Sequence, residues 1–170
     1  MKKIVVTGGA GYVGSQLVPK LLKLGYYVDV IDLFIYGEDV LDDHKNLKKF
    51  KVDIREIEKI NSIIKDCNIL IHLACISNDP SFELNPHLGK SINLSAFEPL
   101  VKSAKINKIS KFIYASSSSV YGIKSEKDVN EDMSLEPLTE YSIYKAECEK
   151  ILNKYSSNDF VVTTLRPATV

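Results

Sequence analysis

The chain contains no tryptophan, only three cysteines, and no excess of either charge. Each absence excludes something. Lysine plus arginine number 22, as do aspartate plus glutamate, so no bulk field draws the protein to nucleic acid or to an anionic membrane. Cys67, Cys75 and Cys148 are odd in number and show no CxxC spacing, which argues for reduced thiols over a disulfide framework or a zinc site. The histidines give no metal-ligand spacing either: His72 reads as part of a buried strand, His44 as surface, and His87 as a helix start. No run approaches the roughly 18 apolar residues of a membrane span. The opening MKKIVV stops at Thr7 and glycines, far short of a secretory signal. The expectation is a cytoplasmic protein that binds neither metal, membrane nor nucleic acid.

What is present is alternation. Short β-rich runs at 3–6, 27–31, 50–53, 68–74, 111–116 and 160–165 alternate with helical patterns at 12–24, 55–66, 86–107 and 140–155. Apolar strands separated by helices predict βαβ units. The expected fold class is α/β, a Rossmann-like, doubly wound parallel sheet with helices on both faces. At 170 residues this is one domain, able to bury about 70% of its unfolded surface. Pro19, inside the first helix, predicts at most a local kink.

The segment VVTGGAGYVGSQL carries the strongest local signal. Gly9, Gly11 and Gly14 satisfy G-x-G-x-x-G, and Gly8, Gly11 and Gly14 the looser G-x-x-G-x-x-G. One glycine makes the tight turn after a strand, one admits a pyrophosphate, and one lets helix and strand pack closely. The helix start, with Tyr12 and Val13, offers N–H groups and a positive dipole end to the phosphates. Asp32 lies 24 residues beyond Gly8, near the spacing of a carboxylate that binds an adenosine ribose. It would repel a 2′-phosphate, and no basic residue follows among Leu33, Phe34, Ile35 and Tyr36, so NAD is expected over NADP. Asp29 reads as a solvated aspartate. In YSIYK, Tyr141 shares a helix face with Lys145 and Tyr144 does not. By itself that pattern fits an amphipathic helix as well as a tuned tyrosine.

TGGAGYVG, VIDL, VDIR, IHLAC, YASSSSVYG, YSIYK and LRP, in this order, resemble the extended short-chain dehydrogenase/reductases. The nearest resemblance is to the NAD-dependent nucleotide-sugar epimerase/dehydratase family, over essentially the whole chain. It implies that Asp53 and Ile54 hold the adenine, and that Leu73, Ala74 and Cys75 pass the cofactor's ribose and phosphate. Cys75 replaces the usual alanine or glycine and reads as a small packing residue. Pro167 is placed near the nicotinamide. Tyr141 becomes the acid/base, its phenol pKa of about 10 lowered by the Lys145 ammonium, which also serves the nicotinamide ribose. Ser117 becomes the hydrogen-bonding partner of the reacting substrate oxygen. Ser116, Ser118 and Ser119 are expected to line the loop, and Tyr121 and Tyr144 to pack. Asn93 matches the family's N-x-x-G-T only at its asparagine, since Ala96 and Phe97 replace Gly-Thr, so no catalytic role is assigned to it.

Dehydratases of this family carry an Asp-Glu pair where this chain has Ser118 and Ser119, so the resemblance favours epimerisation through a keto sugar. Dehydration or reduction within the family, and a non-catalytic NAD-binding regulatory module, are the alternatives. The presence of Ser117, Tyr141 and Lys145 together counts against the module. Family members run for about as many residues again. The expectation is therefore a cofactor domain, incomplete at its C-terminal end, that binds NAD without full turnover. The parent would act on a nucleotide-sugar and form a homodimer.

Overall fold

In a computed structural model, residues 2–77 and 79–168 are described. Among them, six strands form one parallel sheet: β1 (Lys3–Thr7), β2 (Tyr27–Asp32), β3 (Leu47–Lys51), β4 (Ile69–His72), β5 (Lys111–Ala115) and β6 (Val161–Leu165). Their spatial order is β3-β2-β1-β4-β5-β6. The connecting helices are α1 (Tyr12–Lys23), α2 (Ile57–Ile64), α3 (Asp79–Glu83), α4 (Pro86–Lys90), α5 (Phe97–Ile106) and α6 (Glu140–Tyr155). The doubly wound architecture is the one expected. The order reverses between β1 and β4, and in such sheets ligands bind beyond the carboxyl ends of the strands at that reversal.

Residue alternation builds the two core layers. Val5, Ile31, Leu70 and Phe112 pack on one face with Phe97 and Leu100 of α5. Ile4, Val6, Val30 and Ile71 pack on the other with Val18 and Leu22 of α1. Because successive strand side chains point to opposite faces, Ile4, Val5 and Val6 serve both layers. A β1 covered on both faces therefore reads as a continuous apolar run.

Three expectations change. β3 spans Leu47–Lys51, pairing in parallel with β2 from Val28↔Leu47 to Asp32↔Lys51, and not 50–53. It is an edge strand, and edge lysines such as Lys48 and Lys51 both suit such a position and hide its pattern. The 86–107 helix is interrupted by a π-helical turn at Ser91–Ser95, and the short α3 precedes it. Asp29 is buried, not solvated: it occupies an interior strand and ion-pairs with Lys3 at 2.7 Å. Burial alone would lower the Lys3 ammonium's pKa, but the Asp29 carboxylate together with the nearby Cys67 and Asp66 holds it above its ordinary value. α1 continues through Pro19. No helix among the described residues is long and apolar enough to cross a membrane.

Candidate functional site

A cavity of about 770 Å³ opens at the carboxyl ends of β1, β2 and β4. Gly8, Gly11, Tyr12, Val13, Gly14, Asp32, Asp53, Ile54, Leu73, Ala74 and Cys75 all line it. Ala10, Leu33, Ile35, Tyr36, Ile76, Leu88 and Ile92 line it too, and sequence reasoning passed over them. The uncharged run after Asp32 was the available signal for Leu33, Ile35 and Tyr36.

The glycines differ in what requires them. Gly8 has φ 73° and sits so close to the segment leaving β4 that a Cβ would lie 2.5 Å from the Ala74 nitrogen. At Gly14 a Cβ would overlap the Gly9 carbonyl, so α1 could not seat on the loop. Gly11 is otherwise. Its φ is −82°, open to any residue, and its Cβ would meet only the Gly8 carbonyl at 3.4 Å. Nothing among the described residues requires glycine there, but Gly11 lines the cavity at the start of α1, where a side chain would take up its space. A group that needs close backbone approach, as a pyrophosphate does, accounts for it. The residues present therefore fit a dinucleotide.

Asp32 ties the glycine loop to β2. Its Oδ2 accepts from the Ala10 N–H and its Oδ1 from the Phe34 N–H, both at 2.9 Å, and one lone pair on each oxygen stays available. Asp53 is gripped by Arg55: Oδ1 accepts from Nε at 2.8 Å and from the backbone N–H at 2.9 Å, and Oδ2 from Nη2 at 2.6 Å. These bonds hold its carboxyl below the usual carboxylate range. Asn93, inside the π turn, clamps the loop after β4: its Oδ1 accepts from the Ile76 N–H at 2.8 Å and its Nδ2 donates to the Ile76 carbonyl at 2.9 Å. Extra-wide helical turns recur at functional sites, and this one turns a buried asparagine onto Ile76, which lines the cavity.

Ser117, Tyr141, Lys145 and Pro167 do not line this cavity; they belong to a second region around the end of β5 and the start of α6. Thr139 and Ser142 form a capping box that starts α6 at Glu140, which places Tyr141 in its first turn. Lys145 is buried, donates from Nζ to the Ala115 carbonyl at 2.7 Å, and lies 5.7 Å from the centre of the Tyr141 ring. Tyr144 turns away to pack on Phe82, ring centres 5.6 Å apart. Ser117 caps the single turn Ser118–Tyr121, its Oγ accepting from the Ser119 N–H at 3.2 Å and the Ser119 hydroxyl at 2.9 Å. Pro167 is exposed, and its carbonyl accepts the Ser118 N–H at 2.9 Å. Ser116 departs from expectation. It is buried and donates to Glu149 Oε1 at 2.5 Å, because it is the last inward-facing position off β5.

His72 and the two buried thiols are structural. His72 is fully enclosed by Phe97, Phe112 and Tyr114, with its Nδ1 2.7 Å from Thr7 Oγ1. Burial, helped by the nearby Lys145 charge, lowers its pKa to about 3. Burial pushes the Cys67 and Cys148 thiols up to about 12, so neither is a nucleophile at neutral pH. Among the described residues no cluster of His, Cys, Asp or Glu could hold a metal.

A doubly wound parallel sheet with this glycine loop, and an acidic residue closing β2, defines a dinucleotide-binding domain of the short-chain dehydrogenase/reductase type. The chain belongs to the NAD dependent epimerase/dehydratase family, whose profile matches residues 4–170. It is 34% identical over 166 residues to an uncharacterized UDP-glucose epimerase of Bacillus subtilis, covering 92% of this chain and 52% of the relative. Over 152 residues it is 30% identical to the UDP-glucose 4-epimerase of Lactobacillus helveticus, covering 88% and 46%. Among solved structures it superposes on a UDP-N-acetylglucosamine 4-epimerase of Methanobrevibacter ruminantium in complex with UDP-N-acetylmuramic acid. That match has a TM-score of 0.89 and 32% identity, covering 97% of this chain and 54% of that one. The Thermus thermophilus UDP-glucose 4-epimerase complexed with NAD gives a TM-score of 0.87 at 27% identity, covering 96% and 54%. The chain thus spans about half the length of these relatives.

Proposed function

We propose that this chain is the NAD-binding part of a cytoplasmic nucleotide-sugar epimerase. The observation that supports the cofactor reading is Gly11, a cavity-lining glycine with an ordinary φ whose Cβ would crowd no described residue. Gly11 and the start of α1 would hold the pyrophosphate, Asp32 the adenosine ribose, and Asp53 and Ile54 the adenine. When bound, NAD takes a hydride from a sugar carbon and gives it back.

The chain's own residues supply the proton chemistry. An ammonium has three donors; Lys145 spends one on Ala115, leaving two for the nicotinamide ribose and the Tyr141 side. The Lys145 charge beside the Tyr141 ring favours the phenolate, which takes the proton of the sugar hydroxyl. Ser117 Oγ already accepts two hydrogen bonds from Ser119, which leaves its own proton to be donated, in this reading to the substrate oxygen. Ser118 and Ser119 provide no strong acid to expel a hydroxyl, which supports epimerisation over dehydration. Leu73, Ala74 and Cys75 would line the path of the central ribose and phosphate, and Pro167 the approach to the nicotinamide.

The test is incubation of the full-length protein with UDP-, GDP-, CDP- and dTDP-hexoses. An epimer should form with no net rise in reduced-cofactor absorbance; a 4-keto-6-deoxy product would show that dehydration is the true activity. Calorimetric titration should give tighter binding of NAD than of NADP, with Asp32→Ala narrowing the gap. Tighter NADP binding by the unmutated protein would defeat the cofactor assignment.

A further inference from the structure

Glu149 stands on α6 one turn beyond Lys145, so both side chains face the end of β5. Lys145 holds the Ala115 carbonyl, and Glu149 Oε1 accepts the Ser116 hydroxyl at 2.5 Å. These are consecutive residues, and Ser117 is the next. From the opposite side, Arg166, just past β6, grips Glu149: Nε reaches Oε1 at 3.1 Å and Oε2 at 3.2 Å, and Nη2 donates to Oε2 at 2.7 Å. Its Nη1 donates to the Tyr121 hydroxyl at 2.8 Å, and the guanidinium lies 5.0 Å from the centre of that ring. Tyr121 closes the turn that Ser117 opens. Two backbone bonds, Ser116 N–H to the Leu165 carbonyl at 2.8 Å and Ser118 N–H to the Pro167 carbonyl at 2.9 Å, seal the same edge.

Glu149 is 3% exposed. A buried ion pair is a poor device for stability, because desolvation cancels most of its attraction and a well-packed apolar pair often does as well. What it does supply is direction: a planar fork on a carboxylate fixes both partners in angle as well as distance. We propose that Glu149 and Arg166 are positioning residues for the proposed epimerisation. They hold the Ser117 turn at a set distance from the α6 face that carries Tyr141 and Lys145. Neither touches the sugar; each acts through Ser116, Tyr121 and the helix.

The experiment uses the full-length enzyme with Glu149→Gln, Arg166→Lys, and the double replacement Glu149→Leu/Arg166→Met. The two single variants should lose roughly tenfold to a hundredfold in kcat, the scale of a misplaced catalytic group. Their KM and NAD affinity should stay within about twofold of the unmutated enzyme, since uniform binding is untouched. The double variant should melt close to the unmutated protein and still be slow. If its kcat recovers along with its stability, the pair is merely structural and the proposal is overturned. The proposal falls equally if the single variants lose activity only in proportion to a fall in Tm. An unmutated enzyme that epimerises no nucleotide-sugar overturns the functional reading instead, and this inference with it.

Discussion

Gly11 and Gly14 are three residues apart and are glycine for opposite reasons. Gly14→Ala drives a Cβ into the Gly9 backbone, and overpacking of that kind costs about 1–3 kcal/mol; a urea titration should show the loss without any ligand. Gly11→Ala meets only an ordinary contact, so stability should change by less than about 1 kcal/mol. NAD affinity should fall by roughly tenfold or more, about 1.4 kcal/mol, by calorimetry. Equal effects of the two replacements on stability would remove the argument for a ligand at Gly11. Tyr141 and Lys145 separate in the same manner. Tyr141→Phe should abolish most turnover of the full-length enzyme while NAD still binds. Lys145→Ala should damage both, because in the proposed reading the lysine serves the nicotinamide ribose as well as the phenol. Tyr144→Phe should cost little, since that ring packs on Phe82. A Tyr144→Phe variant as slow as Tyr141→Phe would reassign the helix face.

At the scale of elements, α6 shows what local sequence controls. Its bounds follow the expected 140–155 because Thr139 and Ser142 satisfy each other's backbone donors at its start. Thr139→Ala should remove about 1 kcal/mol of stability, read as a shift in urea midpoint at constant slope. No change in midpoint would mean that tertiary contacts alone start the helix. β3 shows the reverse. Its lysines broke the apolar pattern, and only hydrogen bonding to β2 moved the strand to Leu47–Lys51. The π turn at Ser91–Ser95 was equally hidden, because its purpose is to aim Asn93 at Ile76, 17 residues away.

For the whole molecule, acid should act through the centre of the sheet. His72 titrates near 6.5 when exposed and at about 3 when folded, so between those values the unfolded chain binds a proton that the native one refuses. Stability is full above about pH 6.5 and falls as the pH drops toward 3. From pH 7.5 to 5.5 the unmutated chain should lose about 1 to 1.5 kcal/mol more than a His72→Asn variant. The comparison is of slopes, so a lower starting stability in the variant does not affect it. Parallel slopes for the two proteins would show that His72 is protonated in the native state.

Features that depend on near neighbours in the chain were open to reading in the sequence alone. These are the glycine spacing, the strand–helix alternation, the carboxylate closing β2, and the shared face of Tyr141 and Lys145. Each is a matter of backbone geometry over a few residues, and helix and strand periods fix which side chains can meet. The partners of Asp29, His72, Ser116 and Glu149 were not open in that way. Lys3 meets Asp29, Thr7 meets His72 across 65 residues, and Arg166 meets Glu149 and Tyr121. Such pairs arise from the order in which strands lie side by side, and a charged or polar residue in an apolar run does not announce its distant partner. Burial then obliges the pairing, because an unpaired polar group away from water costs too much to keep.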